Sequence, residues 1–202
     1  SHPALDVAPA WSPDGTKLAF IRNSRTSPTS EVIVIPALGG AERSVAASVR
    51  MADFGITGPA LAWTADGRWL IVHRAGPSSD QISLALASLE GQELRPLLDP
   101  PPDSVGDCCP AVSPDGRTLA FLRASQGGGW QAHVLSLSAD GKPLGEPRRL
   151  TSDPSGALRP MWADHGRQLL YMSSHQGRWV LWRLLTDGPE RPAPVESIVP
   201  AG

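Results

Sequence analysis

The stretch PAWSPDGTKLAFIR, residues 9–22, decides the fold. A short apolar segment, Pro-Ala-Trp, runs into a Ser-Pro-Asp-Gly turn and returns as Leu-Ala-Phe-Ile-Arg. Proline presets φ at the first turn position, and glycine accepts the positive φ that a tight hairpin needs. Beyond the turn the residues alternate, so Leu18 and Phe20 share one face of a strand. The same pattern returns as LAWTADGRWLIVHR from Leu61, PAVSPDGRTLAFLR from Pro110 and PMWADHGRQLLYMS from Pro160. The turn glycines Gly15, Gly67, Gly116 and Gly166 lie 52, 49 and 50 residues apart. A period of that length, held in register, marks a chain built of stacked supersecondary units.

Each unit offers two more strands. After a polar loop come EVIVIPA, QISLALAS, QAHVLSLS and WVLWRLL; after a Gly-bearing turn come ERSVAAS, LRPLLD, PRRLTS and APVESIV. Four antiparallel strands in roughly 50 residues make one propeller blade. The fold class expected is therefore all-β, a β-propeller with four blades in this chain. The 21 prolines and 20 glycines are spread along the whole length and leave few windows for a helix. Only AERSVAASVRMADF, from Ala41 to Phe54, has the make-up of one, and it overlaps the strand candidate ERSVAAS.

Labelled A to D from the axis outward, the strands read BCD, ABCD, ABCD, ABCD, A. Blades then cover about 1–40, 41–91, 92–141 and 142–192 of a single propeller region, and residues 193–199 return to complete the first. Three closures fit this count: a four-bladed ring, an arc of a larger ring, or two copies that each supply half a ring as a homodimer.

The W-S-P-D-G turn followed by an L-A-F strand resembles the repeat of TolB-type propellers, over essentially the whole chain. Repeats one and three match it most closely, although Val112 replaces the tryptophan; repeat two has Thr64-Ala65 for Ser-Pro, and repeat four reads Ala163-Asp164-His165-Gly166. The resemblance implies kinship with periplasmic TolB, with the gating propellers of prolyl-oligopeptidase-like and tricorn peptidases, and with sensor domains of bacterial regulators. It therefore implies a non-catalytic protein- or peptide-binding module of a larger bacterial protein, with a periplasmic setting, or alternatively a substrate gate for a peptidase domain outside this chain. Such a repeat specifies a fold far better than a function.

The net charge of −2 and the lack of a basic stripe argue against direct nucleic-acid binding by this segment. No run approaches the roughly 18 apolar residues of a membrane span. The opening SHPALDV lacks the basic and apolar regions of a signal peptide. No H-E-x-x-H or G-x-S-x-G motif occurs, so no catalytic residues, metal or cofactor are expected.

Candidate ligand-binding residues come from two repeating series. Asp6, Asp53, Asp107 and Asp153, with Asp99 and Asp103, fall in the A–B connections of the frame above; Arg22, Arg74 and Arg123 end the strand after the turn, where the fourth repeat has Ser173. The propeller geometry implied by the resemblance puts both sets on one face. There they form a charged mouth for a peptide or small polar ligand, or they cap turns and pair with one another at the rim. The loop DPPPDSVGD (99–107) spaces carboxylates four apart, a solvated turn or an oxygen-ligand calcium site. Cys108 and Cys109 are adjacent: two small thiols, or a strained vicinal disulfide. Trp11, Trp63 and Trp162 share one repeat position and are expected to pack between blades. Trp130, after three glycines, is a candidate anchor for a partner, and Trp179 and Trp182 are candidates to cover an edge.

Overall fold

The computed structural model describes residues 5–23, 29–49, 60–78, 81–91, 93–152, 154–188 and 192–195. The described residues are all-β apart from a 3₁₀ turn at Asp164–Gly166. Four antiparallel units follow one another. Unit 1 holds β1 (Leu5–Trp11), β2 (Lys17–Asn23), β3 (Thr29–Pro36) and β4 (Arg43–Val49). Unit 2 holds β5 (Leu61–Trp63), β6 (Trp69–Ala75), β7 (Ile82–Ser88) and β8 (Leu94–Leu98). Unit 3 holds β9 (Ser104–Val112), β10 (Thr118–Ser125), β11 (Trp130–Leu137) and β12 (Pro143–Arg149), and unit 4 holds β13 (Leu158–Ala163), β14 (Gln168–His175), β15 (Arg178–Leu185) and β16 (Ala193–Pro194). The first strands β1, β5, β9 and β13 lie against one another in succession. A parallel pair, Ile82 with Gly106, joins units 2 and 3 into one sheet.

This frame differs by one strand from the expected one. Arg43–Val49 pairs with β3 and closes unit 1, rather than opening a second blade; 94–98 and 143–149 likewise end their own units. Of the segment 193–199 expected to complete the first blade, Ala193 and Pro194 pair with Arg183 and Trp182 of β15 in unit 4, and 196–199 lie outside the described residues. The physical reason is loop length. Pro36 and Arg43 are separated by a short turn containing Gly39 and Gly40, both at positive φ, which folds β4 straight back on β3. The same pairing makes 43–49 strand where a helix was one reading of 41–54; residues 50–54 lie outside the described ones.

The turn motif earns its recurrence through hydrogen bonds. Ser12 Oγ donates to Asp14 Oδ1 (2.6 Å) and accepts from the Lys17 amide (2.9 Å), while the Gly15 amide donates to the Ser12 carbonyl (2.9 Å). Thr64 with Asp66 and Ser113 with Asp115 repeat the pattern at 2.6 Å each. The Ser12 hydroxyl, with the Thr16 amide and hydroxyl, holds the Asp14 carboxyl down at about 2. These aspartates are bound up in building the turn.

Three apolar clusters fill the three unit junctions. Ala19, Ile21 and Val32 meet Leu61, Trp63 and Val72 between units 1 and 2. Ile71, Leu84 and Leu86 meet Leu119, Phe121 and Leu135 between units 2 and 3. Ala120, Leu122 and Val134 meet Leu169, Tyr171 and Leu184 between units 3 and 4. Alternation along the second strand of each unit sends one face to each neighbour, as the Leu18/Phe20 pattern requires.

Repeat tryptophans bolt two of the junctions. Trp63 Nε1 donates to the Ala10 carbonyl of unit 1 (3.0 Å), and Trp162 Nε1 to the Ala111 carbonyl of unit 3 (2.8 Å). Trp11, expected to do the same, is 60% exposed on the leading face of unit 1, because no described unit precedes it. Trp63→Phe keeps a buried ring and removes one interunit hydrogen bond; the urea midpoint should report a loss of about 1–2 kcal/mol. Trp11→Phe, at the same repeat position, should stay within about 0.5 kcal/mol of the parent.

Candidate functional site

The expected acid and arginine series meet across the first strand ladder of units 1 and 3. Asp6 on β1 lies directly opposite Arg22 on β2, and Asp107 on β9 opposite Arg123 on β10. Arg22 grips Asp6 with Nε and Nη2, both at 2.8 Å, and reaches Glu42 with its other edge (2.5 Å). Arg123 holds Asp107 in the same two-pronged way, at 2.6 and 2.8 Å. Arg74 pairs with Asp99. In unit 4 both members of the pair change together, to Ala157 and Ser173. Asp53 and Asp153 lie outside the described residues.

The two acid–arginine pairs differ in setting. Asp6 is half-exposed, and an exposed pair of this kind contributes little to stability. Asp107 is fully buried; its burial pushes the carboxyl above the ordinary carboxylate range, against the pull of Arg123. Arg22, flanked by Asp6 and Glu42, is held firmly cationic. Arg22 spends both edges of its guanidinium on Asp6 and Glu42, and Arg74 gives Nη2 to Asp99 and Nη1 to the Ala75 carbonyl, so of the three it is Arg123, with Nε and Nη2 on Asp107, that keeps Nη1 for a ligand. Glu42 was not among the candidates; its place just after the Gly39-Gly40 turn, beside the Arg22 end of the sheet, was the available signal.

The other singled-out residues have separate places. Asp99 and Asp107 serve different arginines, and among the described residues no three His, Cys, Asp or Glu side chains converge. Cys108 and Cys109 are free thiols, both buried within β9 with sulfurs 3.3 Å apart. Burial raises the Cys108 thiol well above its usual range. Trp130 packs partly buried against the cluster between units 3 and 4, Trp182 packs there too, and Trp179 is 60% exposed.

The axial strands carry a feature with no sequence mark. Ala8, Cys109 and Arg159, each three residues before the motif tryptophan position, sit at φ of 53–55° and bulge their strands. Left-handed backbone at a residue with a Cβ costs about 1 kcal/mol, and here it recurs in three units. Ala8, Ala10, Leu61, Arg159 and Met161 border one pocket of about 320 Å³, which brings the inner strands of units 1, 2 and 4 together.

No family model matches the chain. TolB from Acinetobacter baumannii superposes with a TM-score of 0.71 at 16% identity, over 95% of this chain and 43% of that one. The β-propeller domain of the Trilobed protease from Pyrococcus furiosus, described as having an open velcro topology, gives 0.61 at 13% identity over 96% and 58%. A puromycin-hydrolyzing peptidase from Mycobacterium tuberculosis gives 0.63 at 19% over 95% and 29%. At these identities the likeness is one of fold: the chain has the TolB-type propeller fold. In sequence, 61 residues are 39% identical to an uncharacterized peptidase, YuxL, of Bacillus subtilis, 30% of this chain and 8% of that protein. The chain thus spans less than half of the TolB it superposes on and a small part of its sequence relative.

Proposed function

We propose that the chain is a non-catalytic, protein- or peptide-binding arc of four blades within a larger bacterial propeller protein. The observation that carries this reading is Trp11. At its repeat position Trp63 and Trp162 are packed and bonded to the preceding unit, yet Trp11 stands exposed, as does Met161 in the place that would offer it a carbonyl. Both ends of the stack therefore present the surfaces by which blades join, which favours an arc that further blades or a second copy would continue. The neighbouring loop faces, with rigid strands beneath and the half-used Arg123 fork at the rim, suit recognition.

The second reading is a substrate-gating propeller of a serine peptidase. The peptidase-named sequence relative and the peptidase among the structural matches favour it. A gate lets peptides through, and a recognition module retains them. Fluorescence polarisation of the isolated chain with a labelled mixed tetrapeptide pool separates the two: saturable binding is expected, and a flat titration would sink the binding reading in favour of the gate. Light scattering on the same sample reports the assembly; twice the chain mass supports paired copies, and the single-chain mass supports a four-bladed ring or an arc of one chain.

A further inference from the structure

The repeat serves as its own control, and unit 3 departs from it around one pocket. Opposite Phe20, Val72 and Tyr171 in the ladder of second and third strands stand Ile33, Ala85 and Trp182; opposite Phe121 stands His133. One strand further out Ser44 faces Ile33, Pro96 faces Ala85 and Pro194 faces Trp182, whereas Arg149 faces His133. Unit 3 also carries the triple glycine 127–129 in its hairpin. These departures, with Arg123, border one pocket of about 460 Å³. Core packing does not call for an imidazole and a guanidinium where sister units place Ile and Ser.

The polar atoms are arranged for a particular ligand. Arg149 uses Nε on the Thr151 carbonyl (2.5 Å) and makes no ion pair among the described residues. Arg123 commits Nε and Nη2 to Asp107 and keeps Nη1. His133 is 9% exposed and lies stacked on Phe121; its Nδ1–H donates to the Gln131 carbonyl at 3.0 Å, which leaves Nε2 a bare acceptor. Burial, with Arg123 and Arg149 nearby, pushes the imidazole down to about 4, so it is neutral at neutral pH. Two cationic forks beside a neutral acceptor match a carboxylate with an N–H next to it. That is the end of a peptide, where the terminal carboxylate adjoins its own residue's amide. Inorganic phosphate also supplies oxygens for the arginines and, through its P–O–H, a donor for Nε2, so it is the competitor that the test includes.

We propose that this pocket binds the C-terminal carboxylate of a peptide, with Arg149 and Nη1 of Arg123 on the carboxylate and Nε2 of His133 accepting the terminal residue's N–H. The proposal rests on the peptide-binding reading above and deepens it. The test compares a labelled tetrapeptide pool with free C-termini against the same pool amidated, on the intact chain and on variants that restore unit 1's residues, Arg149→Ser and His133→Ile, each checked for fold by circular dichroism. The free-acid pool is expected to bind at least about tenfold more tightly than the amides, and either variant to erase that preference. Equal binding of both pools overturns the pocket assignment and leaves peptide binding standing; binding of neither overturns both. Discrimination unchanged in a folded Arg149→Ser chain also overturns it. The intact-chain comparison decides the matter even if a variant fails to fold. Displacement of the free-acid pool by inorganic phosphate at comparable concentration would show an oxyanion site indifferent to the peptide, and would overturn the peptide assignment.

Discussion

Gly106→Ala is expected to be the most damaging of the Gly→Ala changes among the described residues. Gly106 has φ of +135°, a conformation essentially confined to glycine, and an added Cβ would run into the backbone nitrogen, carbonyl carbon and oxygen of Ile82. Ile82 is fully buried, and its parallel pairing with Gly106 is the one ladder that links two units among the described residues. The methyl cannot be absorbed by a flexible side chain, because the obstacle is main chain. Backbone strain and overpacking together should cost about 3 kcal/mol or more, a large part of the roughly 5–15 kcal/mol that holds a typical domain folded. Urea unfolding measures it, with Gly177→Ala as the control: Gly177 also has positive φ (+74°), but nothing lies within 4 Å of where its Cβ would be, so about 1 kcal/mol is expected there. A Gly106→Ala midpoint no lower than that of Gly177→Ala would show that the Ile82 contact does not matter.

The junction that Gly106 serves explains why such a contact exists. The motif tryptophan that bolts units 1 and 2, and again units 3 and 4, is Val112 in unit 3. Units 2 and 3 are joined instead by the Ile82–Gly106 pair and by His73, whose Nε2 accepts the Cys109 N–H. Loss of the tryptophan was legible in the sequence, and its replacements were not. A glycine inside DPPPDSVGD reads as loop chemistry, and a histidine at the position of Ile21 and Leu122 reads as an irregularity. Only the ladder register shows that both face the same junction.

More generally, a repeat of about 50 residues makes strands and turns legible because each is set by local chemistry. Alternation places Leu18 and Phe20 together, and Ser12, Asp14 and Gly15 close a turn among themselves. What a period cannot supply is its own starting point. Whether 43–49 ends one unit or begins the next depends on packing, and Trp11 is exposed for a reason its repeat position does not carry. The acid and arginine series were legible as series, and the register that pairs Asp6 with Arg22 and Asp107 with Arg123 turned them into ion pairs. His133 and Arg149 become visible only once the third and fourth strands are aligned across units, since the loops before them differ in length.

The second large effect is a pH dependence centred on His73. The ring is fully buried between units 2 and 3, with the Ala60 backbone and the Cys109 amide as polar neighbours, and its burial pushes the pKa from 6.5 down to about 3. Between those values the unfolded chain takes up a proton that the folded chain refuses. Stability is therefore intact above about pH 6.5 and drains away as the pH falls toward 3, by about 4–5 kcal/mol for this group alone. His133 drains in the same direction, and Asp107, with its raised carboxyl, works against it; both remain in a His73 variant, so the comparison of variant with parent isolates His73. His73→Leu strands the Cys109 N–H and should be less stable than the parent at pH 7 by about 1–3 kcal/mol. On acidification to pH 4 the parent should lose roughly 3 kcal/mol that the leucine variant keeps. The two urea-midpoint curves should then converge or cross between about pH 6 and pH 4, by the same linkage, at about the point where the titration cost equals the lost hydrogen bond. Parallel curves across that range would mean that the imidazole is protonated in the folded chain, and that the junction between units 2 and 3 holds a charge rather than a neutral acceptor.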